Sequence, residues 1–81
     1  MQITFEFFGV LERLAGASAL QLDLDDGVTV EDALNELAQK APNLAETLNR
    51  SACAVGDTLV ARSESLTAGT RLALLPPVAG G

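Results

Sequence analysis

The chain has 81 residues, of which 48% are hydrophobic, so it can form one domain with a single modest core and is too apolar to be disordered. Its formal net charge of −6 at pH 7 argues against a nucleic-acid partner, because phosphate binding needs a basic surface. With one cysteine and no histidine, the chain lacks the residues for an intrachain disulfide, a Cys/His zinc site or a Ser-His-Asp triad.

Apolar periodicity predicts two strands and a short helix in the first part of the chain. Every second residue is apolar over residues 3–7 and again over residues 20–24, which is typical of half-buried strands. Between them we expect a short helix over residues 11–15, ended by Gly16.

The main amphipathic helix begins after Thr29. Thr29 and Asp32 have the spacing of a capping box, and Pro42 ends the helix. A further helical turn is predicted over residues 44–48. The apolar residues of the main helix recur at helical spacing; they are Val30, Ala33, Leu34, Leu37, Ala38 and Ala41.

The remainder of the chain predicts β-structure. Residues 52–55 and 58–62 form a hairpin, joined by a turn at residues 56–57, and residues 71–75 form the last strand. Leu66, in the connection, is expected to point inward. One main helix over a sheet of four or five strands is an α+β architecture.

Strand parity places three large apolar residues on the sheet face away from the main helix. If Ile3, Phe5 and Phe7 point inward, the next residue, Phe8, points outward. The same argument turns Leu59 and Leu75 outward. Exposed apolar residues that adjoin one another mark partner surfaces, so Phe8, Leu59 and Leu75 are a candidate interface.

No metal site is expected. The acidic residues around the second strand and the helix start do not match the spacing of a calcium loop, and helix capping and turn formation explain them better; they are Asp23, Asp25, Asp26, Glu31 and Asp32. Cys53 lies in an apolar strand and is expected to be a small core residue rather than a reactive thiol.

The carboxyl-terminal end carries the main candidate for chemistry. We predict an α+β domain over residues 1–75 and a flexible tail over residues 76–81, with the sequence Pro76-Pro77-Val78-Ala79-Gly80-Gly81. Two glycines let a backbone enter a slot that any side chain would block. The α-carboxylate of Gly81 is ionised at neutral pH and inert, so its use in chemistry requires activation by another enzyme.

These features resemble the small, sulfur-carrying subunits of molybdopterin synthases, a family with the β-grasp (ubiquitin-like) fold. The resemblance covers nearly the whole chain. It is carried by Phe7-Phe8-Gly9 with Leu11-Glu12-Arg13-Leu14, by Thr29-Val30-Glu31-Asp32-Ala33-Leu34, by Ala54-Val55-Gly56-Asp57-Thr58-Leu59-Val60 and by the Pro-Pro-Val-x-Gly-Gly ending. Gly56 departs from the Asn that the family often has, and both residues tolerate positive φ.

The resemblance implies a role in molybdenum cofactor biosynthesis as a non-catalytic sulfur donor. A ubiquitin-activating-like adenylyltransferase would use ATP to adenylate Gly81, and a sulfur donor protein would convert it to a thiocarboxylate. The tail, Pro76 to Gly80, would carry Gly81 into the large subunit of a heterotetramer, where sulfur passes to cyclic pyranopterin monophosphate. Phe8, Leu59 and Leu75 match family positions that pack on the large subunit, and the chain itself would bind no cofactor.

Two related functions remain open from the sequence. A sulfur carrier of the thiamine pathway has the same terminus, although such chains tend to be shorter and to lack the Pro-Pro spacer. A ubiquitin-like protein modifier would form isopeptide bonds through Gly81. The absence of a secretory signal and of a membrane-length apolar run predicts a cytoplasmic protein with no membrane partner.

Overall fold

A computed structural model describes residues 1–77, and residues 78–81 lie outside the described part. The described chain contains five strands, three α-helices and a 3-10 turn. In chain order they are β1 (Gln2–Phe7), α1 (Val10–Ala15), β2 (Ala19–Asp23), α2 (Val30–Lys40), the 3-10 turn (Pro42–Leu44), α3 (Ala45–Asn49), β3 (Ala52–Val55), β4 (Thr58–Val60) and β5 (Arg71–Leu75).

The five strands form one mixed sheet in the order β2-β1-β5-β3-β4. The first and last strands, β1 and β5, pair in parallel near the middle of the sheet, and the other neighbours pair antiparallel. This arrangement confirms the expected α+β, β-grasp architecture with a mixed sheet packed on one main helix. It also brings the end of β5 beside the end of β1, because Phe7 pairs with Leu74.

The core lies between the sheet and α2. On β1, Ile3, Phe5 and Phe7 are buried, as the strand alternation predicts, and they meet the buried stripe of α2. Burying a side chain such as Phe5 in full stabilises the fold by about 1.5–3 kcal/mol. The stripe consists of Val30, Ala33, Leu34 and Leu37.

The predicted capping box forms at the start of α2. Thr29 Oγ1 accepts a hydrogen bond from the Asp32 amide at 3.1 Å, and the Thr29 amide donates to Asp32 Oδ2 at 3.1 Å. The next two amides of the helix are satisfied from elsewhere in the chain: Val30 N donates to Glu64 O and Glu31 N to Arg62 O, both at 2.9 Å.

These main-chain bonds explain a difference from the sequence prediction. The return strand of the hairpin was expected over residues 58–62, but β4 is only Thr58–Val60. The segment after Val60 leaves the sheet because the Arg62 carbonyl serves the amino end of α2 instead of a strand partner. Leu66, farther along this segment, is buried as predicted.

The helical turn predicted over residues 44–48 is present and is longer than expected. Helix α2 ends at Lys40, and Pro42 begins a 3-10 turn that continues directly into α3. Leu44 and Leu48 from this segment are buried in the core cluster. Asn43 Nδ2 donates to Leu14 O at 2.8 Å, which ties the turn to the end of α1.

The predicted tail over residues 76–81 is described only at Pro76 and Pro77. The division into a domain over residues 1–75 and a flexible tail therefore stays a prediction. In the described part of the chain, none of the helices combines the length and the apolar character that crossing a bilayer requires.

Candidate functional site

The sheet face turned away from α2 has a centre of small apolar residues. Register places Ala54 on β3 opposite both Leu59 on β4 and Ala73 on β5, and it places Ala52 opposite Leu75. Ala54 is buried although it lies outside the core cluster, because its neighbours on this face cover it. A partner that packs here would therefore contact a shallow depression, formed by the small side chains and bordered by larger ones.

Phe8, Leu59 and Leu75 border this surface, as strand parity predicts. Phe8 is 46% exposed and Leu59 is 69% exposed, whereas Leu75 is partly buried. Phe8 and Leu75 line the same groove, and Leu59 lies about 10 Å away from β5, two strand spacings across the sheet. We call these three residues with Ala52, Ala54 and Ala73 the outward patch. Its role as a partner surface stays a prediction.

The groove lies between the start of α1 and the point where the chain leaves β5. We call it the tail groove, and its lining residues are Phe8, Gly9, Val10, Glu12, Arg13, Leu75, Pro76 and Pro77. Two of the predicted tail residues, Pro76 and Pro77, thus form part of the groove, together with the predicted interface residues Phe8 and Leu75. The predicted site residues Val78, Ala79, Gly80 and Gly81 lie outside the described residues.

Gly9 is a feature of this groove that the sequence prediction missed. It precedes α1 with φ 55° and ψ −131°, a conformation that residues with a side chain rarely adopt. A Cβ added at Gly9 would lie 3.3 Å from Pro76 Cγ, closer than a comfortable van der Waals contact. The only sequence signal was a glycine just before a helix, and glycines are common there.

An ion pair borders the outward patch on the β1 side. Both Nε and Nη2 of Arg71 donate to Glu6 Oε2, at 3.1 and 2.7 Å. Glu6 pairs in register with Ala73, so this charged pair adjoins the apolar surface. Apolar centres with charged borders are typical of partner surfaces.

Cys53 and two of the acidic residues have surroundings that explain them structurally. Cys53 is 3% exposed, and burial raises the pKa of its thiol, with smaller opposing effects from Arg62, which lowers it, and Glu31, which raises it. Asp23 and Asp26 lie 3.2 and 3.7 Å from the amino-terminal nitrogen of Met1. Within residues 1–77, no three His, Cys, Asp or Glu side chains are grouped so that they could hold a metal ion.

Curated relatives resemble the chain over nearly its full length. Small archaeal modifier protein 1 of Haloferax volcanii is 32% identical over 92 residues, which cover 95% of this chain and 98% of the relative. The molybdopterin synthase sulfur carrier subunit of Chlamydomonas reinhardtii is 29% identical over 83 residues, covering all of both chains.

Solved structures and a family pattern agree with these relatives. A crystal structure of small archaeal modifier protein 1 from Haloferax volcanii superposes with a TM-score of 0.88 at 29% identity, covering all of both chains. One chain of a complex of subunits 1 and 2 of the molybdopterin-converting factor from Helicobacter pylori also superposes on this chain. Its TM-score is 0.70 at 28% identity, again over all of both chains. The pattern of the ThiS family matches residues 5–81, and the chain therefore belongs to the ThiS family.

Proposed function

We propose that the chain is the sulfur carrier subunit of a molybdopterin synthase and acts in molybdenum cofactor biosynthesis. The observation that carries the proposal is the position at which the tail begins. Pro76 and Pro77 follow the end of β5 and lie beside Phe8 and Leu75, at the border of the outward patch. A carrier must present its terminus next to the surface that a partner binds. The name of the Chlamydomonas reinhardtii relative supports the same function.

The proposed chemistry takes place at the α-carboxylate of Gly81. A carboxylate is ionised at neutral pH and resists nucleophilic attack, so it must first be activated. In a ubiquitin-activating-like adenylyltransferase, a carboxylate oxygen attacks the α-phosphorus of ATP and pyrophosphate leaves. A persulfide sulfur of a sulfur donor protein then attacks the acyl carbon, and AMP leaves. A thiol cleaves the resulting acyl disulfide, which releases the thiocarboxylate and leaves the donor cysteine in a disulfide with that thiol. In this scheme ATP binds to the activating enzyme and the chain itself binds no cofactor.

The tail delivers the sulfur. Six residues from Pro76 to Gly81 span about 20 Å when extended, enough to enter a pocket of a neighbouring protein. The diglycine allows the last part to pass through a narrow channel. In the large subunit the thiocarboxylate gives its sulfur to cyclic pyranopterin monophosphate. We assign the remaining catalytic groups to the large subunit, and the complex to a heterotetramer of two small and two large subunits.

The outward patch serves as the docking surface in this proposal. Phe8 and Leu59 expose large apolar areas at its two ends, while the alanines between them allow close approach of a partner. The Helicobacter pylori structure, a complex of subunits 1 and 2 of the molybdopterin-converting factor, supports a partner of this kind. The net charge of −6 favours a partner with a basic surface.

The deciding experiment compares the wild-type chain with a variant that lacks Gly81. Each carries an amino-terminal tag and is incubated with the activating enzyme, ATP and a sulfur donor. Intact-mass spectrometry should show one oxygen replaced by sulfur in the wild type and no change in the variant, while both unfold at the same temperature. Sulfur gain by the variant would contradict the proposal, and so would a wild type that stays unmodified with a competent activating enzyme.

A modifier function is the second candidate, because the Haloferax volcanii relative is named as a modifier protein. In that case Gly81 forms isopeptide bonds with lysines of other proteins. Purification of the amino-terminally tagged chain from its host separates the candidates. A molybdopterin synthase large subunit supports our proposal, a series of lysine conjugates supports the modifier, and a thiazole synthase supports the thiamine-pathway carrier. The cytoplasmic location stays a prediction.

A further inference from the structure

Gly9 and Pro76 are distant in sequence but lie close together in the tail groove, where a Cβ added at Gly9 would be 3.3 Å from Pro76 Cγ. Gly9 is the residue before α1, and Pro76 is the first residue after β5. They lie close together because β1 and β5 are parallel neighbours, so their carboxyl ends are at the same end of the sheet. The contact therefore lies where the tail leaves the domain.

Gly9 differs from the other glycines with positive φ in the described residues. Gly16, with φ 70°, represents the remaining ones: a Cβ added there would meet no atom within 4 Å. A turn conformation alone explains those glycines. At Gly9 the missing Cβ also leaves room for the ring of Pro76, at a distance of 3.3 Å from the added Cβ to Cγ.

We propose that Gly9 is a positioning residue for the tail: because it lacks a Cβ, Pro76 can lie against the start of α1, and this contact sets the direction in which the chain leaves the sheet. The proposal rests on the proposed function in that the direction of the tail affects loading of Gly81. The rings of Pro76 and Pro77 fix φ at two successive residues, so a displacement of Pro76 is passed to Pro77.

A small displacement of Pro76 changes the point at which the tail begins. A Cβ at Gly9 would require Pro76 to move by a few tenths of an ångström. When the domain is docked on the activating enzyme, the tail begins at Pro76, so the position of Pro76 relative to the docked surface affects how Gly81 reaches the active site. Misplacement of a reacting group by about 1 Å can slow a reaction by up to about 10²-fold.

The test compares Gly9→Ala with Gly16→Ala. Both substitutions put a side chain at positive φ and should lower the unfolding temperature. The loss should be larger for Gly9→Ala, because Gly9 has ψ −131° whereas Gly16, with ψ 20°, is in the left-handed region. Only Gly9→Ala brings a Cβ close to Pro76, and the Pro76→Ala background separates that effect from backbone strain. We expect Gly9→Ala to lower the maximal rate of sulfur loading about tenfold at saturating activating enzyme, with KM changed less. Gly16→Ala should load at the wild-type rate. Equal loading rates for the two variants would overturn the proposal.

Pro76→Ala tests the same contact from the other side, and it keeps the proposal testable if Gly9→Ala does not fold. Removing Cγ should itself slow loading, and Gly9→Ala should add no further loss in the Pro76→Ala background. Full additivity of the two effects, or wild-type loading by Pro76→Ala, would contradict the proposal.

A wild type that gains no sulfur would instead reject the proposed function. In that case the positioning role is decided by NMR. Gly9→Ala should then shift the amide resonances of residues 78–81, and Gly16→Ala should leave them unchanged. Unchanged resonances in Gly9→Ala would overturn the inference.

Discussion

Arg62 and Glu31 form an ion pair at the start of α2, with Arg62 Nη1 3.1 Å from Glu31 Oε2. The other terminal nitrogen, Nη2, donates to Leu48 O at 2.7 Å, to Ser51 O at 3.1 Å and to Asn49 O at 3.3 Å. The last carbonyls of a helix have no partner within the helix. One guanidinium therefore joins the start of α2 to the end of α3.

Arg62→Ala should lower the free energy of unfolding by about 1–3 kcal/mol, because it leaves part-buried carbonyls without a donor. Arg62→Lys should recover little of this loss, since an ammonium cannot reach both helices. Urea unfolding measures the effect. Arg50→Ala is the control: Arg50 is exposed and lies 3.8 Å from Glu46, so its loss should stay within about 0.5 kcal/mol. Equal effects of the two alanine substitutions would contradict this assignment.

Cys53 provides a second prediction, on where the sulfur is carried. Burial raises the pKa of its thiol, and only the thiolate is nucleophilic, so alkylation of the folded protein at pH 8 should be slow and become fast in urea. Cys53→Ala should still gain sulfur at Gly81. Rapid alkylation of the folded chain would contradict the burial of this thiol, and loss of sulfur loading in a folded Cys53→Ala variant would place a sulfur-carrying step on the cysteine.

The features that sequence predicted well are local. Alternation on β1 and the capping box at Thr29 depend on residues a few positions apart, so pattern and spacing were sufficient to find them. The outward direction of Phe8 and Leu59 followed from the same alternation. The α+β class followed from the order of these elements.

The features that sequence missed depend on pairing between distant segments. The contact of Gly9 with Pro76 requires β1 and β5 to be parallel neighbours, which no local pattern indicates. The early end of β4 likewise requires the Arg62 carbonyl to meet the amino end of α2. Long-range contacts of this kind become visible only when the topology is known.

The amino terminus yields a pH prediction. The nitrogen of Met1 donates to Leu24 O at 2.6 Å, and its pKa is raised from 8.0, chiefly by a hydrogen bond with Asp23. Because the pKa is higher in the folded state, the stabilisation is complete below the ordinary value of 8.0 and is lost as pH rises through the raised folded value.

The measurement is the unfolding temperature from pH 7 to above 9, in a Cys53→Ala background because the raised pKa of that thiol has an effect of the same sign. We expect Asp23→Asn to be less stable than its parent at pH 7 and the difference to shrink at alkaline pH. Asp25→Asn, whose carboxylate is not paired with the ammonium, is the control. A difference for Asp23→Asn that stays constant with pH would contradict the prediction.

The last prediction tests the outward patch. Phe8→Ala and Leu59→Ala should each weaken binding to the large subunit by about 1–3 kcal/mol if these residues are interface anchors.

Leu20→Ala is a matched control. Leu20 is 39% exposed, close to the 46% of Phe8. It lies on β2 opposite Phe5 and therefore on the other face of the sheet. Calorimetric titration of the large subunit gives the three affinities. Thermal unfolding shows that each variant is folded. Unchanged affinity for Phe8→Ala and Leu59→Ala, or an equal loss for Leu20→Ala, would mean that the partner does not bind the outward patch.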